Sequence, residues 1–255
     1  MHDATALIGY SGFVGTTLRR QTSFDSLYRS TNIESIRGGR FSMVVCAGAP
    51  AQKWIANREP EEDSRSIRRL ISAIDGIEAD CFILISTVDV FANPVSVSED
   101  DEPDAAALHP YGRHRLQLER FVRDKFEKHL VVRLPGLVGP GLRKNVLYDL
   151  KNNNQVSKIN ADSIFQYYPM VNLWADIGVA LRHNLSLVHL TSEPVHTGAL
   201  AQDVFSINLP APAQPGPRYD FRTMHAKLFG GQGNYQYSLK EELLAIRSYA
   251  QCGEA

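Results

Sequence analysis

The chain has 255 residues, of which 44% are hydrophobic and 22% are charged, and its formal net charge is -1. This length is ample for one large α/β domain, or for a domain with a small appendage, around a buried core. The near-neutral charge gives no general attraction to nucleic acid or to anionic membranes, and no apolar run approaches the roughly 20 residues that span a bilayer.

Short apolar runs alternate with longer amphipathic stretches through the first half of the chain. The runs predict strands, and apolar residues at helical spacing predict helices. The predicted order is a strand at 4–10, a helix at 13–21, a weak strand at 25–30, a strand at 41–50, a helix at 61–77, a strand at 81–87, a helix at 110–126 and a strand at 129–139. This alternation predicts an α/β fold with a doubly wound parallel sheet covered on both faces.

The alternation is less regular after about residue 140. The predicted elements are a turn at 139–145, a helix at 173–185, a short strand at 187–192, a proline-rich loop at 209–220 and a helix at 238–251. In the last helix, Ser238 is the expected N-cap and Glu241 completes a capping box. We expect residues 142–255 to complete the core and to form a small additional lobe.

The cysteines and the N-terminal sequence bear on the cellular compartment. Cys46 and Cys81 fall in predicted strands, Cys252 is the third cysteine, and no CxxC pair occurs. An odd count without such pairs predicts reduced thiols. The opening "MHDATALIGY" lacks the basic start and long apolar stretch of a signal peptide, so we expect a cytoplasmic protein. The eight histidines show no metal-ligand spacing, and no metal site is predicted.

Three glycines, Gly9, Gly12 and Gly15, join the first predicted strand to the first predicted helix. A strand that enters a helix through a tight turn points backbone N–H groups at an anion, most often a phosphate. The glycines could alternatively only relieve crowding in the turn. The strand before them and the helix after them favour dinucleotide binding. The predicted cofactor contacts are Gly9, Ser11, Gly12, Phe13, Val14 and Gly15 in this turn, and Ala47, Gly48 and Ala49 after the strand that begins at residue 41.

The end of the second predicted strand bears on which nucleotide binds. A carboxylate there would hold a ribose 2′-hydroxyl, but the sequence has Arg29 and Ser30 instead. A guanidinium and a hydroxyl suit a 2′-phosphate, so these residues favour NADP over NAD. Arg29 could equally be a solvated surface residue.

Further stretches resemble a known family: "ILISTVDVF" at 83–91, "HPYGRHRLQLERFV" at 109–122 and "VVRLPGLVGPG" at 131–141. With "GYSGFVG" at 9–15, in this order and at these intervals, the chain resembles the extended short-chain dehydrogenases/reductases over about residues 4–141. The resemblance implies a Rossmann-type fold, NAD(P) and an epimerase, dehydratase or reductase of nucleotide-linked sugars. Residues 1–141 are then the NAD(P)-binding core, and residues 142–255 supply the substrate-binding lobe.

The family pattern implies three catalytic residues. Its hydroxyl residue maps onto Thr87, its tyrosine onto Tyr111, and its lysine position holds Arg115, which would also contact the cofactor. A tyrosine needs a nearby cation to act as a base near neutral pH, because its ordinary pKa is about 10. Arg115 lies four residues after Tyr111 and therefore on the same helical face. Tyr111 could alternatively be a packing residue.

The chain departs from the family pattern at other positions. Pro135 matches a family residue beside the nicotinamide, but Gly136 stands where many members have an asparagine that contacts substrate. Val88 stands where family dehydratases carry an aspartic acid, so the resemblance disfavours dehydration and leaves reduction or epimerisation. Arg115 cannot release a proton as lysine can.

Cations and aromatic rings suit a nucleotide-linked sugar. The predicted substrate-binding residues are Lys53, Arg143, Lys144, Asn145, Gln166 and Tyr168. Three hypotheses follow: an NAD(P)-dependent reductase or epimerase of a nucleotide-linked sugar, an NAD(P)-binding sensor without turnover, and an enzyme of another small carbonyl compound. The family resemblance also predicts a homodimer through the helices at 55–79 and 110–128.

Overall fold

The computed structural model describes residues 4–252. Residues 1–3, the first three of the N-terminal stretch "MHDATALIGY", lie outside the described residues. The strands are β1 (Thr5–Ile8), β2 (Ser26–Tyr28), β3 (Arg40–Phe41), β4 (Met43–Cys46), β5 (Glu78–Ala79), β6 (Phe82–Thr87), β7 (Val95–Val97), β8 (His129–Leu134), β9 (Gly136–Val138), β10 (Ile164–Phe165), β11 (Tyr167–Pro169), β12 (Leu187–His189), β13 (Val195–His196) and β14 (Asp220–Phe221). The α-helices are α1 (Phe13–Gln21), α2 (Lys53–Arg58), α3 (Pro60–Asp75), α4 (Pro110–Lys125), α5 (Val146–Lys151), α6 (Leu173–Arg182), α7 (Thr197–Phe205) and α8 (Leu239–Gln251).

A six-stranded sheet has the order β12-β8-β6-β4-β1-β2. Strand β1 pairs in parallel with both β2 and β4, and β4 pairs in parallel with β6. The strand order therefore reverses direction at β1, which is where open α/β sheets bind ligands, outside the carboxyl ends of the strands. The predicted doubly wound parallel sheet is confirmed.

The central strands and their covering helices bury the apolar residues that the sequence pattern marks. Phe82, Ile83 and Leu84 of β6 are at most 1% exposed, as expected for a strand that is covered on both faces. Ile67 and Ile74 of α3 are fully buried against the same core. Burying such a side chain contributes about 1.5–3 kcal/mol to folding, so these runs fix which faces turn inward.

Contacts between Cα atoms divide the chain into two compact units. The first comprises residues 1–92, 102–133 and 173–188, and the second comprises residues 93–101, 134–172 and 189–255. The units are interleaved along the chain, so they do not coincide with a single division at residue 141. That residues 142–255 supply a substrate-binding lobe stays a prediction.

The second unit contains short pairs of strands, β9 with β11, β10 with β13 and β7 with β14. The run at 129–139 was expected to form one strand, and the structure divides it into β8 and β9 at Pro135. Proline has no N–H to donate to a sheet, which is why the pairing changes there. Helix α7 was missed because its sequence, "TGALAQDVF", has no distinctive apolar periodicity.

The cysteines are free thiols: Cys46 and Cys81 are buried and Cys252 is exposed. Cys46 lies in β4 as predicted, whereas Cys81 immediately precedes β6 rather than lying in it. Within residues 4–252, none of the helices has the length and apolar character needed to cross a membrane.

The start of α8 provides a test of local stability. The Ser238 side chain accepts a hydrogen bond from the Glu241 backbone, and the Glu241 carboxylate accepts from Ser238, forming the predicted capping box. We expect Ser238→Ala to lower the free energy of unfolding by about 1 kcal/mol. Ser238→Asn should retain most of the free energy of unfolding, because asparagine also caps helix N-termini. Urea unfolding of the three proteins measures the difference, and equal stability of the alanine variant would contradict it.

Candidate active site

Two of the three glycines between β1 and α1 are required by the chain's own packing. Gly9 has a φ of +84°, and a Cβ atom there would lie 2.3 Å from the Ala47 carbonyl oxygen. A Cβ atom at Gly15 would lie 2.1 Å from the Gly9 carbonyl oxygen. Any larger residue at either position would force the backbone apart. The turn therefore packs tightly between the ends of β1 and β4.

The middle glycine has a different environment. Gly12 is exposed, and the nearest atom to a Cβ placed on it is the Gly9 carbonyl oxygen at 3.5 Å, an ordinary contact. Packing within the chain therefore does not require glycine at position 12. Gly12 is the N-cap of α1, no side chain among residues 4–252 caps this end, and the first turn of α1 carries no acidic residue. An open, electropositive helix start of this kind fits a phosphate-bearing ligand that approaches the backbone closely.

The end of β2 lies beside this turn, because the Gly9 N–H donates to the Tyr28 carbonyl oxygen at 2.7 Å. Arg29 and Ser30 follow and are exposed. The Arg29 guanidinium lies 5.9 Å from the centre of the Tyr10 ring, and the Arg19 guanidinium lies 5.5 Å from the same ring. Arg19 was not predicted, because its place beside Tyr10 depends on how α1 packs against the turn.

The hydroxyl groups of Thr87 and Tyr111 are brought together at the carboxyl end of β6. Thr87 ends β6 and its Oγ1 accepts a hydrogen bond from the Asp89 N–H at 3.2 Å. The Thr87 side chain also lowers the pKa of the Tyr111 phenol. The sequence predicted this pair from two segments that are far apart in the chain.

The first turn of α4 is held firmly in place. Pro110 is at its start, His109 Nδ1 caps it by accepting from the Gly112 N–H at 3.1 Å, and Asn57 Oδ1 of α2 accepts from the Tyr111 N–H at 3.0 Å. A Cβ atom at Gly112 would lie 2.1 Å from the Asp89 carbonyl oxygen. Helix α4 therefore approaches the end of β6 as closely as its backbone allows.

Arg115 is buried and lies over the face of the Tyr111 ring, with its guanidinium carbon 3.9 Å from the ring centre. One guanidinium nitrogen donates to Asp63 Oδ2 and another to the Pro50 carbonyl oxygen. Asp63 also contacts His114 Nδ1 at 2.7 Å. Arg115 Nε is buried and has no hydrogen-bond partner among the described residues. The predicted catalytic and cofactor-binding roles of Arg115 stay predictions.

The pKa of Tyr111 reflects burial and the charges around the ring. Burial, the largest effect, raises the pKa above its ordinary value, and the Arg115 guanidinium opposes this rise. Asp89 raises the pKa further, whereas Lys53 and the hydrogen bond from Thr87 lower it. The net effect is a raised pKa, so the phenol is protonated at neutral pH in the free protein.

Lys53 starts α2, just beyond the carboxyl end of β4, and its Nζ donates to Asp89 Oδ1 at 2.7 Å. The Lys53 side chain is 40% exposed and the Asp89 side chain 17% exposed. Asp89 was not predicted as a site residue. Its position two residues after Thr87 was the available signal, because it places the carboxylate at the same end of β6.

Two predicted substrate-binding residues, Gln166 and Tyr168, are buried in the second unit. The Gln166 side chain is 1% exposed, and its amide bonds to Thr191, Ser192 and Phe221. Tyr168 is fully buried beside Tyr237. Both side chains are buried, and their predicted contacts with substrate stay predictions.

Asn145 is the N-cap of α5, where its side chain accepts from the N–H groups of Leu147 and Tyr148. Its amide also donates to the Leu137 carbonyl oxygen at 2.9 Å, so the side chain stabilises the turn, and its predicted contact with substrate stays a prediction. Arg143 and Lys144 are exposed, and Pro135 is buried. Their predicted contacts with substrate and cofactor stay predictions.

The glycine at position 136 is explained by packing in the second unit. Gly136 pairs with Tyr167 in neighbouring strands, and a Cβ atom on it would lie 2.6 Å from the Gln166 carbonyl oxygen. The asparagine that many family members carry at the corresponding position would not fit here.

No protein-family model and no curated protein matches the chain. Solved structures match nearly all of it. The dTDP-4-dehydrorhamnose reductase of Bacillus anthracis, solved with NADP, has a TM-score of 0.75 at 16% identity, covering 98% of each chain. UDP-glucose 4-epimerase of Thermotoga maritima, solved with UDP-glucose, has a TM-score of 0.71 at 15% identity, covering 96% of this chain and 97% of that chain.

A third similar structure is the Bordetella bronchiseptica enzyme WbmG with NAD, which has a TM-score of 0.73 at 13% identity and covers 98% of this chain and 94% of that chain. Identities this low establish the fold. The chain has the Rossmann-type α/β fold of the extended short-chain dehydrogenases/reductases, as the sequence motifs indicated.

The three glycines of the turn should respond differently to substitution. We expect Gly15→Ala to lower the free energy of unfolding by at least about 2 kcal/mol, because the added methyl group collides with backbone atoms. Gly12→Ala should change the stability little, because its Cβ atom meets nothing closer than 3.5 Å. Thermal or urea unfolding compares the two variants, and similar losses in both would contradict this description of the turn.

Proposed function

We propose that the protein is an NAD(P)-dependent oxidoreductase or epimerase that acts on a nucleotide-linked sugar, with Tyr111 as its acid/base. The observation that carries this proposal is the close packing of the start of α4, which carries Tyr111, against the end of β6, which carries Thr87, on the same sheet edge as the open glycine turn. The NADP-, NAD- and UDP-glucose-bound structures that share the fold support it.

The glycine turn would bind the pyrophosphate of the cofactor, with Gly12 allowing close approach to the start of α1. Ser11, Phe13 and Val14 belong to the same turn, and Ala47, Gly48 and Ala49 follow β4 at the same edge. Arg115, whose Nε has no hydrogen-bond partner among the described residues, would contact the cofactor ribose. A bound nicotinamide nucleotide would supply or accept the hydride.

Residues of this chain would transfer the proton that accompanies the hydride. Thr87 donates a hydrogen bond that orients the substrate oxygen, and Tyr111 gives a proton to that oxygen during reduction or takes it during oxidation. The raised pKa of Tyr111 keeps the phenol protonated at neutral pH. Reduction, which needs the protonated phenol, should therefore run at neutral pH, and oxidation should become faster as the pH rises.

A sensor that binds NAD(P) without turnover is a second candidate. The observation in its favour is that Asp63 pairs with the Arg115 guanidinium and so compensates the charge that a catalytic tyrosine needs. The contact between Thr87 and Tyr111 argues for catalysis, because a sensor requires neither hydroxyl. A cytoplasmic location and a homodimer formed through α3 and α4 are also part of the proposal.

Two variants test the proposal. We expect Gly12→Val to weaken NADP and NAD binding at least about tenfold, about 1.4 kcal/mol, because its side chain fills the space that the pyrophosphate needs. Tyr111→Phe should bind cofactor normally and lose at least about 100-fold in turnover of a nucleotide-linked keto sugar. Tryptophan fluorescence titration and the change in nicotinamide absorbance measure the two effects.

Gly12→Ala serves as the control for folding in the first measurement, and Tyr167→Phe serves as the tyrosine control in the second. Normal cofactor affinity in a folded Gly12→Val protein would refute the cofactor assignment. Cofactor binding without turnover of any of a broad panel of nucleotide sugars would favour the sensor.

The arginines beside Tyr10 predict the choice of nucleotide. We expect Arg29→Ala, and Arg19→Ala to a smaller extent, to reduce the ratio of NADP to NAD affinity about tenfold, because each removes a charged hydrogen-bond donor to a 2′-phosphate. Arg20→Ala, a neighbouring exposed arginine of α1, is the matched control. An unchanged ratio in both test variants would show that neither arginine recognises the 2′-phosphate.

A further inference from the structure

We propose that Trp54 is a specificity-determining residue, whose exposed indole ring stacks on the sugar of the nucleotide-linked substrate and is positioned by Arg58. This inference rests on the proposed function and deepens it, because it names the residue that recognises the sugar part of that substrate. Trp54 was not among the substrate-binding residues predicted from the sequence.

Helix α2, which carries Trp54, is attached to the candidate active site by two hydrogen bonds. At the start of the helix, Lys53 Nζ donates to Asp89 Oδ1 at 2.7 Å, just beyond the end of β6. One turn later, Asn57 Oδ1 accepts from the Tyr111 N–H at 3.0 Å. Lys53 and Asn57 are four residues apart and therefore share one face of α2. This face is fixed against the two elements that carry the candidate catalytic residues.

Trp54 lies beside this attached face. Successive residues of an α-helix are rotated by about 100°, so Trp54 is about 60° around the axis of α2 from Asn57. Trp54 is 62% exposed, whereas Ile55 is half-buried and Ala56 is buried. The indole therefore borders the side of α2 that contacts the start of α4, and most of the indole is open to solvent.

The orientation of the exposed ring is restrained by a cation from the next turn of α2. The Arg58 guanidinium carbon lies 4.8 Å from the centre of the Trp54 ring, within the range of a cation–π interaction. Arg58 also forms an ion pair with Glu59, in which Nη2 lies 2.6 Å from Oε1. The guanidinium covers one face of the indole, so the opposite face supplies the exposed surface that a ligand can cover.

The isolation of this ring favours a sugar over a protein partner. Among residues 4–252, Trp54 is the only large apolar side chain of the first unit that is exposed. The other exposed large apolar side chains belong to the second unit and are Val95, Val171, Met224, Leu228 and Leu244. A protein interface needs a continuous core of apolar side chains. One pyranose ring, whose C–H groups form an apolar face, needs only one aromatic ring to pack against.

The first test uses Trp54 itself as the reporter of sugar binding. The chain has two tryptophans, so Trp174→Phe leaves Trp54 as the single fluorescent indole. In this background, UDP-, dTDP- and GDP-linked sugars are titrated, with and without NADP, while the fluorescence emission is followed. We expect a nucleotide sugar that binds to change the Trp54 emission. The corresponding nucleoside diphosphate should leave the emission nearly unchanged, because it lacks the sugar.

The second test measures affinity by calorimetry. We expect Trp54→Ala to weaken binding of the same nucleotide sugar about tenfold and to bind NADP and the nucleoside diphosphate as the parent does. Trp54→Tyr should retain most of the affinity, because it keeps an aromatic face. Arg58→Ala should cause a smaller loss than Trp54→Ala, because the ring remains but is no longer positioned. Leu244→Ala, which removes an exposed apolar side chain elsewhere, is the matched control and should bind normally.

The outcomes separate this inference from the proposed function, because binding is measured without turnover. Unchanged affinity of Trp54→Ala for a nucleotide sugar that the parent binds would overturn the inference alone. An equal loss of affinity for the nucleoside diphosphate would also overturn it, because the contact would then not be with the sugar. If the parent protein bound none of the nucleotide sugars, the proposed function would be refuted and the inference with it. Circular dichroism checks that each variant is folded.

Discussion

The arrangement of the candidate active site depends on how closely the first turn of α4 approaches the end of β6. A Cβ atom at Gly112 would lie 2.1 Å from the Asp89 carbonyl oxygen, so only glycine permits the contact. Tyr111 precedes Gly112, and Thr87 precedes Asp89 by two residues, so the same contact brings both residues to the carboxyl end of β6. The His109 cap and the Asn57 side chain hold the turn from outside.

The electrostatics of the site follow from this close packing. Burial makes the Tyr111 phenolate costly, and the protein offsets the cost with two cations of different character. Arg115 is buried, paired with Asp63 and fixed on the ring face, where removing either partner would leave an uncompensated buried charge. Lys53 is half-exposed and paired with Asp89. The two cations therefore differ in burial and in partner, and they come from different helices, α4 and α2.

Features with local causes could be predicted from the sequence. The glycine turn, the alternating strands and helices and the Ser238 cap each depend on neighbouring residues, and the structure has all of them. The contacts of Gly112, Asp63 and Asp89 depend on segments that meet only in the folded protein. The structural roles of Gln166 and Asn145 were not predicted, because a polar side chain that stabilises a loop and one that binds a substrate have the same sequence signature. Their burial and hydrogen bonds show the structural roles.

The central claim is that Tyr111 gives a proton to a nucleotide-linked keto sugar while a nicotinamide cofactor gives it a hydride. The most direct measurement supplies NADPH dideuterated at the nicotinamide C4 together with a panel of nucleotide-linked keto sugars, and analyses the sugars by mass spectrometry. The account predicts one deuterium in the product of the parent protein and almost none with Tyr111→Phe. Absence of deuterium in every sugar, or equal incorporation by the Tyr111→Phe protein, would contradict it.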